Sequence, residues 1–227
     1  MSSNKQLNAC TWVVIPAYNE QNTITSVIKD VCKIIPNIIV VDDASTDLTH
    51  HYLSQLPVVI IRNRKNIGYV KTLEKGLKHA FSLGADYAIT FDADGQHLGV
   101  DLKQFLHTIQ TRQPDLILGN RSFKNRLMEK MYSLYTKRTL SISDPFCGFR
   151  AYRKEFFSKI GNKLETHYSI GTENAFCYLT THSISMVEIN LTTAKRQDES
   201  RFAGKIKGNL LELYSAINLF WYVHVSK

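Results

Sequence analysis

The chain has few cysteines and no long apolar run. Its four cysteines, Cys10, Cys32, Cys147 and Cys177, are widely spaced and form no Cys-x-x-Cys pair. This spacing argues against a zinc site or a disulfide framework and is typical of a reducing compartment. No window reaches the roughly 18 apolar residues of a spanning helix, and the amino terminus lacks the apolar core of a signal peptide. We therefore expect a soluble or peripheral cytoplasmic protein.

Acidic residues are also scarce relative to basic ones. The 20 acidic residues face 28 basic residues, which gives a formal charge of +8 and a pI of about 9.3. Such a surface favours nucleic acid, anionic membranes or phosphorylated ligands as partners. Because no nucleic-acid recognition motif is present, we do not expect nucleic acid. Many basic residues lie in the second half of the chain: Lys124, Arg126, Lys130, Lys137, Arg138, Lys195, Arg196, Arg201, Lys205 and Lys207.

Short apolar runs alternate with segments of helical periodicity. This pattern predicts βαβ units and an α/β fold with a mostly parallel sheet. No repeat or linker interrupts it, so we expect a single domain over residues 1–227. The expected strands are 12–15, 38–41, 58–61, 88–91, 115–118 and 184–191. The expected helices are 24–35 (capped by Asn19 or Asn22), 48–53, 70–81, 102–109 and 127–140.

Acidic clusters follow the first, second and fourth expected strands, at Tyr18-Asn-Glu20, Asp42-Asp43 and Asp92-Ala-Asp94. In a parallel sheet these clusters share the carboxyl edge, where ligands bind. Residues i and i+2 of a strand point to the same side, so Asp92 and Asp94 can face one cation. Oxygen ligands suit Mg²⁺ or Mn²⁺, which are often shared with substrate phosphates. We expect a metal and phosphate site at this edge.

Several motifs resemble the family 2 glycosyltransferases of the GT-A fold. They are Val13-Val-Ile-Pro-Ala-Tyr-Asn-Glu20, Val40-Val-Asp-Asp-Ala-Ser-Thr-Asp47, Asn66-Ile-Gly68, Phe91-Asp-Ala-Asp-Gly-Gln-His97, Gly119-Asn-Arg121 and Asp144-Pro-Phe-Cys-Gly-Phe-Arg150. The last two are most similar to polyprenyl-phosphate sugar synthases of the dolichyl-phosphate mannose synthase type. The resemblance implies a Rossmann-like GT-A domain with a nucleotide-binding half (about 11–120) and an acceptor half (about 121–227). It also implies inverting transfer of a sugar from a UDP- or GDP-linked donor.

The resemblance assigns roles to individual residues. Asp94, Asp92 and Gln96 are the expected metal ligands. The nucleotide pocket is expected to contain Pro16, Tyr18, Glu20, Asp42, Asp43, Lys71 and Asp92. Asp47 is expected to cap a helix instead. The segment Gly68-Tyr-Val-Lys71 lacks the small residues that are usual at this place in the family.

On the acceptor side, Asp144 is the expected catalytic residue besides Asp94. A hydroxyl acceptor requires a base, which Asp144 could supply, whereas a phosphate acceptor requires none and leaves Asp144 an orienting role. The residues expected to bind phosphate or substrate are Arg121, Arg126, Arg196 and Ser200. The segment Arg196-Gln-Asp-Glu-Ser-Arg201 departs from the family pattern, because the usual glycine before Glu-Ser is absent.

The acceptor is the open choice. A polyprenyl phosphate is expected, with a growing cell-envelope polysaccharide or another hydroxyl acceptor as the alternative. A sugar-nucleotide-binding protein without activity and a magnesium-dependent phosphatase-like enzyme are more distant alternatives. At the carboxyl terminus, apolar residues from Ile206 to Trp221 predict an amphipathic helix. It is expected to pack on the domain or on a second copy in a homodimer, or to lie on a membrane or membrane partner.

Overall fold

A computed structural model describes residues 11–95, 99–121, 127–162, 164, 176, 178–179, 181–192, 214, 217, 219–220 and 224, with the side chains of residues 127 and 128 left out. Strands and helices alternate along most of this part of the chain. The strands are β1 (Thr11–Ala17), β2 (Ile38–Asp42), β3 (Val59–Arg62), β4 (Tyr87–Thr90), β5 (Leu116–Arg121), β6 (Arg150–Arg153) and β7 (Met186–Leu191). The helices are α1 (Ile24–Cys32), α2 (Thr49–Leu53), α3 (Tyr69–Ser82), α4 (Gly99–Arg112), α5 (Leu127–Leu140) and α6 (Lys154–Lys159).

The seven strands form one sheet in the order β3-β2-β1-β4-β6-β5-β7. The pairs β1–β2, β2–β3, β1–β4 and β5–β7 are parallel, and β6 is antiparallel to β4 and β5. The expected α/β class with a mostly parallel sheet is therefore confirmed. Because β1, β2 and β4 run in the same direction, the polar segments that follow them meet at one edge of the sheet.

Helices cover both faces of the sheet. On one face, α1 and α4 bury apolar residues against β1 and β2, and the Phe105 ring of α4 stacks on Phe149 at 4.1 Å. On the other face, α3, α5 and α6 pack around Val14, Leu77 and Phe157. A side chain at Gly76 of α3 would collide with Val14, so glycine lets this helix lie close to the sheet. The two buried faces fix the positions of the loops at the carboxyl edge.

Strand β6 and helix α6 are absent from the sequence-based expectation, which gave no strand or helix between residues 140 and 184. The four-residue strand begins at Arg150 and ends at Arg153, so its sequence contains no apolar run. Arg150 itself is nevertheless buried. Thr90 of β4 lies opposite Arg150 in the antiparallel register. The start of β6 therefore lies beside the end of β4, and the loop before β6 reaches the carboxyl edge.

Two further details differ from the expectation. Helix α1 begins after Thr23 rather than after Asn19 or Asn22, and it ends at Cys32 rather than Ile35. Asn19 instead contributes to the packing of two loops, described below. Asp47 accepts a hydrogen bond from the amide of Thr49, the first residue of α2, at 2.9 Å, although the cap position of that helix is Leu48.

The expected carboxyl-terminal helix lies mostly outside the described residues and stays a prediction. Of that segment, Leu219 is buried in the core face that also contains Tyr132. The Phe220 ring lies 6.1 Å from the Tyr135 ring of α5. Within the described part of the chain, no helix has the length and apolar character needed to cross a membrane.

Candidate active site at the carboxyl edge of the sheet

The loops that follow β1 and β2 hold each other in place. The Asn19 amide donates to Ser45 Oγ at 3.0 Å, and the Thr46 amide donates to Asn19 Oδ1 at 2.8 Å. The Glu20 amide donates to Thr49 Oγ1 at 2.7 Å. Asn19 and Ala44 both have positive φ angles, 55° and 60°, which non-glycine residues rarely adopt. Backbone strain of this kind is concentrated at functional sites, where surrounding contacts maintain it.

The residues expected to line the nucleotide pocket after β1 lie next to these loops. Pro16 is buried within β1, opposite Val41 of β2. Tyr18 is exposed at the surface, and Glu20 is half-buried with Oε2 accepting a hydrogen bond from Thr23 Oγ1 at 3.0 Å. Tyr18 and Glu20 therefore lie on the side of the edge where a nucleotide could approach, and their binding roles stay predictions.

Asp42 lies fully inside the protein at the end of β2. Its Oδ1 accepts a hydrogen bond from the Ser45 amide at 2.8 Å. Its Oδ2 lies 3.2 Å from both His50 Nδ1 and Arg62 Nε, at ion-pair distance but outside hydrogen-bond geometry. Both oxygens of the Asp42 carboxylate already lie against groups of the protein itself. A hydrogen bond from a nucleotide base would therefore have to go to an oxygen that keeps one of these partners.

Asp43 organises the segment that leads into α3. Its carboxylate accepts hydrogen bonds from the amides of Ile67 and Gly68, both at 2.9 Å, and from the Asn63 side chain at 2.8 Å. Gly68 has a φ angle of 90°, which favours glycine, and α3 begins at the next residue. Lys71, in the first turn of α3, is exposed. Asp43 is thus bound to the backbone that presents Tyr69 and Lys71.

The Asp92–Asp94 pair lies in a turn just beyond β4, which ends at Thr90. Burial continues to alternate through this turn, and the expectation that both carboxylates face one cation stays a prediction. Phe91 and Ala93 point into the core, whereas both carboxylates are half-buried at the edge. Carboxylate oxygens suit Mg²⁺ or Mn²⁺. Among the described residues no cluster of three His, Cys, Asp or Glu side chains is placed to hold a metal ion.

Tyr69 and Gly148 enclose Asp92, and the sequence did not point to either contact. The Tyr69 hydroxyl donates to Asp92 Oδ1 at 2.7 Å. A Cβ at Gly148 would lie 2.5 Å from Asp92 Oδ2 and 2.6 Å from the Tyr69 hydroxyl. The pKa of Tyr69 is raised well above its usual value by burial and then by the Asp92 charge, so its hydroxyl stays a donor. The unusual tyrosine after Asn66-Ile-Gly68 was the available clue in the sequence.

Arg121 and Asp144 form a buried ion pair at the end of β5. Arg121 Nε and Nη2 donate to Asp144 at 2.8 and 3.0 Å, and the Arg121 amide donates at 3.1 Å. Arg121 Nη2 also donates to Glu129 of α5 at 2.6 Å. Asp144 has no exposed surface. Burial lowers the pKa of Arg121, but the hydrogen bonds and charge of Asp144 outweigh this and raise it, so the guanidinium stays charged.

The loop between Asp144 and β6 is held from two sides. Arg150, buried at the start of β6, donates from Nη2 to the Pro145 carbonyl at 2.7 Å, and Thr90 Oγ1 donates to the Gly148 carbonyl at 2.6 Å. Cys147 is buried between these contacts, and burial, followed by the Asp144 charge, raises its thiol pKa to about 12. The loop therefore connects the Arg121–Asp144 pair with the Asp92 carboxylate.

The structure brings Asp92 close to Tyr69 and Gly148, and Arg121 close to Asp144. Four of the residues expected in the site lie outside the described part of the chain: Gln96, Arg126, Arg196 and Ser200. Their roles stay predictions from the sequence.

Comparisons with known proteins show the family and the fold of this chain. Among relatives, a UDP-N-acetylglucosamine–dolichyl-phosphate N-acetylglucosaminyltransferase of Methanococcus voltae is 29% identical, covering 67% of this chain and 73% of the relative. A polyprenol monophosphomannose synthase of Mycolicibacterium smegmatis is 27% identical, covering 82% of this chain and 78% of the relative.

A solved structure, glucosyl-3-phosphoglycerate synthase of Mycobacterium tuberculosis with Mn²⁺, UDP and phosphoglyceric acid, superposes with a TM-score of 0.74. The match covers 95% of this chain and 81% of that one at 15% identity, so it supports the fold alone. Residues 12–161 match the family described as glycosyl transferase family 2. The chain therefore belongs to glycosyl transferase family 2, as its motifs predict.

Proposed function

We propose that this protein is an inverting glycosyltransferase that moves a sugar from a UDP- or GDP-linked donor to a polyprenyl phosphate. The observation that carries the proposal is the Asp92–Asp94 pair at the carboxyl edge of the sheet, beside the interlocked loops after β1 and β2, in a member of glycosyl transferase family 2. The two relatives described above are named for different sugars but both for a lipid phosphate. Their shared feature supports the acceptor and leaves the sugar open.

On the donor side, Asp92 and Asp94 would hold a divalent cation, and Pro16, Tyr18 and Glu20 would line the nucleotide. The structural neighbour described above contains Mn²⁺ together with UDP, and we propose a cation of the same kind here. When bound, the cation offsets the negative charge that grows on the leaving nucleoside diphosphate. Asp43 would contribute by holding the segment that leads into α3 against this pocket.

On the acceptor side, the burial of Asp144 favours a phosphate over a hydroxyl. A general base must reach the proton that it removes, and its lone pair must be available. Asp144 has no exposed surface and is engaged by the Arg121 side chain, the Arg121 amide and the Phe146 amide. A phosphate acceptor is already anionic and needs no base. We infer that Asp144 orients Arg121, which would hold the acceptor phosphate.

A membrane surface is the proposed place of action. Helix α5 exposes Met131 (57%) and Leu134 (51%), and the carboxyl-terminal segment exposes Ile217 (55%) and Phe220 (52%). Three basic side chains, Lys130, Lys137 and Arg138, are exposed on the same helix. Apolar side chains with adjacent positive charge suit an anionic lipid surface. We call these seven residues the apolar–basic surface. We propose that this surface binds peripherally to the cytoplasmic leaflet of a membrane. Binding to a membrane protein or to a second copy of this chain is the alternative that experiments should distinguish.

A transfer assay tests the acceptor. The purified protein would be incubated with Mn²⁺ and UDP-N-acetylglucosamine, UDP-glucose or GDP-mannose, together with a short polyprenyl phosphate or the matching polyprenol. We expect transfer from one donor to the phosphate and none to the alcohol. Transfer to the alcohol or to a glycan would support the hydroxyl-acceptor alternative. Failure to hydrolyse or transfer any of the three sugars would count against a UDP- or GDP-linked donor of these kinds.

A further inference from the structure

Tyr69 joins two parts of the chain that the sequence does not connect. It is the first residue of α3, and its hydroxyl donates to Asp92 Oδ1 at 2.7 Å across 23 positions. The residue as a whole is 40% exposed, whereas its hydroxyl end lies against Asp92 and Gly148, so Tyr69 lies at the rim of the site with its polar end inside. A partly exposed tyrosine contributes little to the core, and its enclosed hydroxyl has the half-buried Asp92 carboxylate as its partner. Its contact therefore points to a role in the site.

The backbone that carries Tyr69 is itself held in place. Asp43 accepts hydrogen bonds from the amides of Ile67 and Gly68, and its Oδ1 also binds Asn63. Lys75 donates to Asn63 Oδ1 at 2.7 Å and so extends this network along α3. The first residue of α3 therefore cannot move away from Asp92 without breaking several hydrogen bonds.

The opposite side of Asp92 is closed by Gly148. Added to Gly148, a Cβ would come within 2.5 Å of Asp92 Oδ2, and the Gly148 carbonyl is bound to Thr90 Oγ1 at 2.6 Å. One oxygen of Asp92 thus receives the Tyr69 hydrogen bond, and the other lies against the Cα of a fixed glycine. The carboxylate has little freedom to rotate.

We propose that Tyr69 is a positioning residue that orients the Asp92 carboxylate for a divalent cation bound with the nucleoside diphosphate. The inference rests on the proposed function, because it assumes that Asp92 is a metal ligand. Hydrogen-bond partners behind a ligand set its orientation, and their loss costs about 10- to 100-fold in metal affinity. Loss of the Tyr69 hydroxyl would leave Asp92 free to adopt orientations that do not face the cation.

The test is the affinity for Mn²⁺ in the presence of UDP, measured by calorimetry without sugar transfer. Tyr69→Phe removes only the hydroxyl, and we expect it to weaken Mn²⁺ binding by about 10-fold. Tyr87→Phe is the matched control, since the Tyr87 hydroxyl donates to the Pro114 carbonyl at 2.9 Å at the opposite end of β4. Tyr87→Phe is expected to lower stability while leaving Mn²⁺ affinity unchanged.

Activity adds a second measurement. The rate lost in Tyr69→Phe at limiting Mn²⁺ should be recovered at saturating Mn²⁺, which a general loss of folding would not allow. Gly148→Ala displaces Asp92 from the other side and should also weaken Mn²⁺ binding. Equal or tighter Mn²⁺ binding by Tyr69→Phe would overturn the role of Tyr69 even if transfer to polyprenyl phosphate is confirmed. Absence of Mn²⁺ binding by the unmodified protein with UDP would overturn both this inference and the metal in the proposed function.

Discussion

Asp94 differs from Asp92 in how it is held at the edge of the sheet. Asp92 receives the Tyr69 hydroxyl and lies against Gly148, whereas Asp94 lies farther along the turn, next to Gly95 with its φ angle of 74°. Ala93 between them is buried and anchors the turn in the core. The Asp94 side chain is half-buried at the edge of the sheet and is not part of the apolar core, so its replacement tests the chemistry of the site with little loss of core packing.

We expect Asp94→Ala to reduce sugar transfer by at least about 100-fold, because a carboxylate ligand to the cation is lost. The unfolding temperature should stay close to that of the unmodified protein. Transfer assays and thermal unfolding measure the two effects. Asp86→Ala is a suitable control, since Asp86 is an exposed carboxylate just before the same strand. Full activity in Asp94→Ala would remove Asp94 from the proposed metal site.

At the scale of elements, one ion group connects β5, α5 and the loop before β6. Arg121 lies at the end of β5, Glu129 in the first turn of α5, and Asp144 at the start of the loop. Two carboxylates share one guanidinium, so each hydrogen bond compensates for the burial of a charge. The same loop carries Gly148 to Asp92. The acceptor half and the donor half of the site are therefore connected through a single segment.

Asp144→Asn should destabilise the protein by about 3 kcal/mol, because Arg121 would keep its charge without its principal partner. Urea unfolding measures this change. Glu129→Gln is the comparison: Asp144 still pairs with Arg121 in that variant, so the loss of stability should be smaller. Unchanged stability of Asp144→Asn, with loss of transfer that depends on pH, would instead support Asp144 as a general base.

At the scale of the whole molecule, one surface combines features that the rest of the described chain does not explain. Met131 and Leu134 project from α5, whose opposite side buries Tyr132 and Thr136. The Tyr135 ring connects α5 with Phe220 and His224 at 6.1 and 6.4 Å. Since Glu129 of α5 binds Arg121, this helix also contacts the acceptor side of the site. Binding of the apolar–basic surface to lipid would bring a membrane-borne acceptor close to Arg121.

We expect the protein to co-sediment with vesicles of phosphatidylcholine and phosphatidylglycerol more than with phosphatidylcholine alone. Met131→Ser combined with Leu134→Ser should weaken this binding by about tenfold, as expected when two side chains lose part of their apolar burial. Leu83→Ser combined with Val100→Ser is the control, because both side chains are similarly exposed elsewhere, Leu83 just after α3 and Val100 in α4. Equal binding by both double variants, or none by the unmodified protein, would contradict the membrane role of this surface.

The sequence predicted the parallel part of the fold well because that part depends on local patterns. The apolar runs of β1, β2 and β4 each end at a polar cluster. Because these three strands run in the same direction, the clusters lie together at one edge of the sheet. Strand β6 was not predicted because it is stabilised by pairing with β4 and β5 rather than by an apolar pattern in its own residues. Arg150 can be buried there because the fold supplies hydrogen-bond acceptors such as the Pro145 carbonyl and the Tyr152 hydroxyl.

For the candidate site, the sequence by itself determined which residues are present: the Asp92–Asp94 pair, the acidic ends of β1 and β2, and the motifs of the family. The tertiary structure decided how they are used. It buried Asp42 and Asp144 against cations of the protein, assigned Asp43 to the backbone before α3, and placed Tyr69 and Gly148 around Asp92. These contacts join residues that are 20 to 56 positions apart, and they form only after the sheet has formed. At Asp92 the reason is that the antiparallel β6 and the start of α3 converge on the end of β4. Local sequence patterns report neighbouring residues and periodicity, and they carry no information on which distant hydroxyl or glycine will face a given carboxylate.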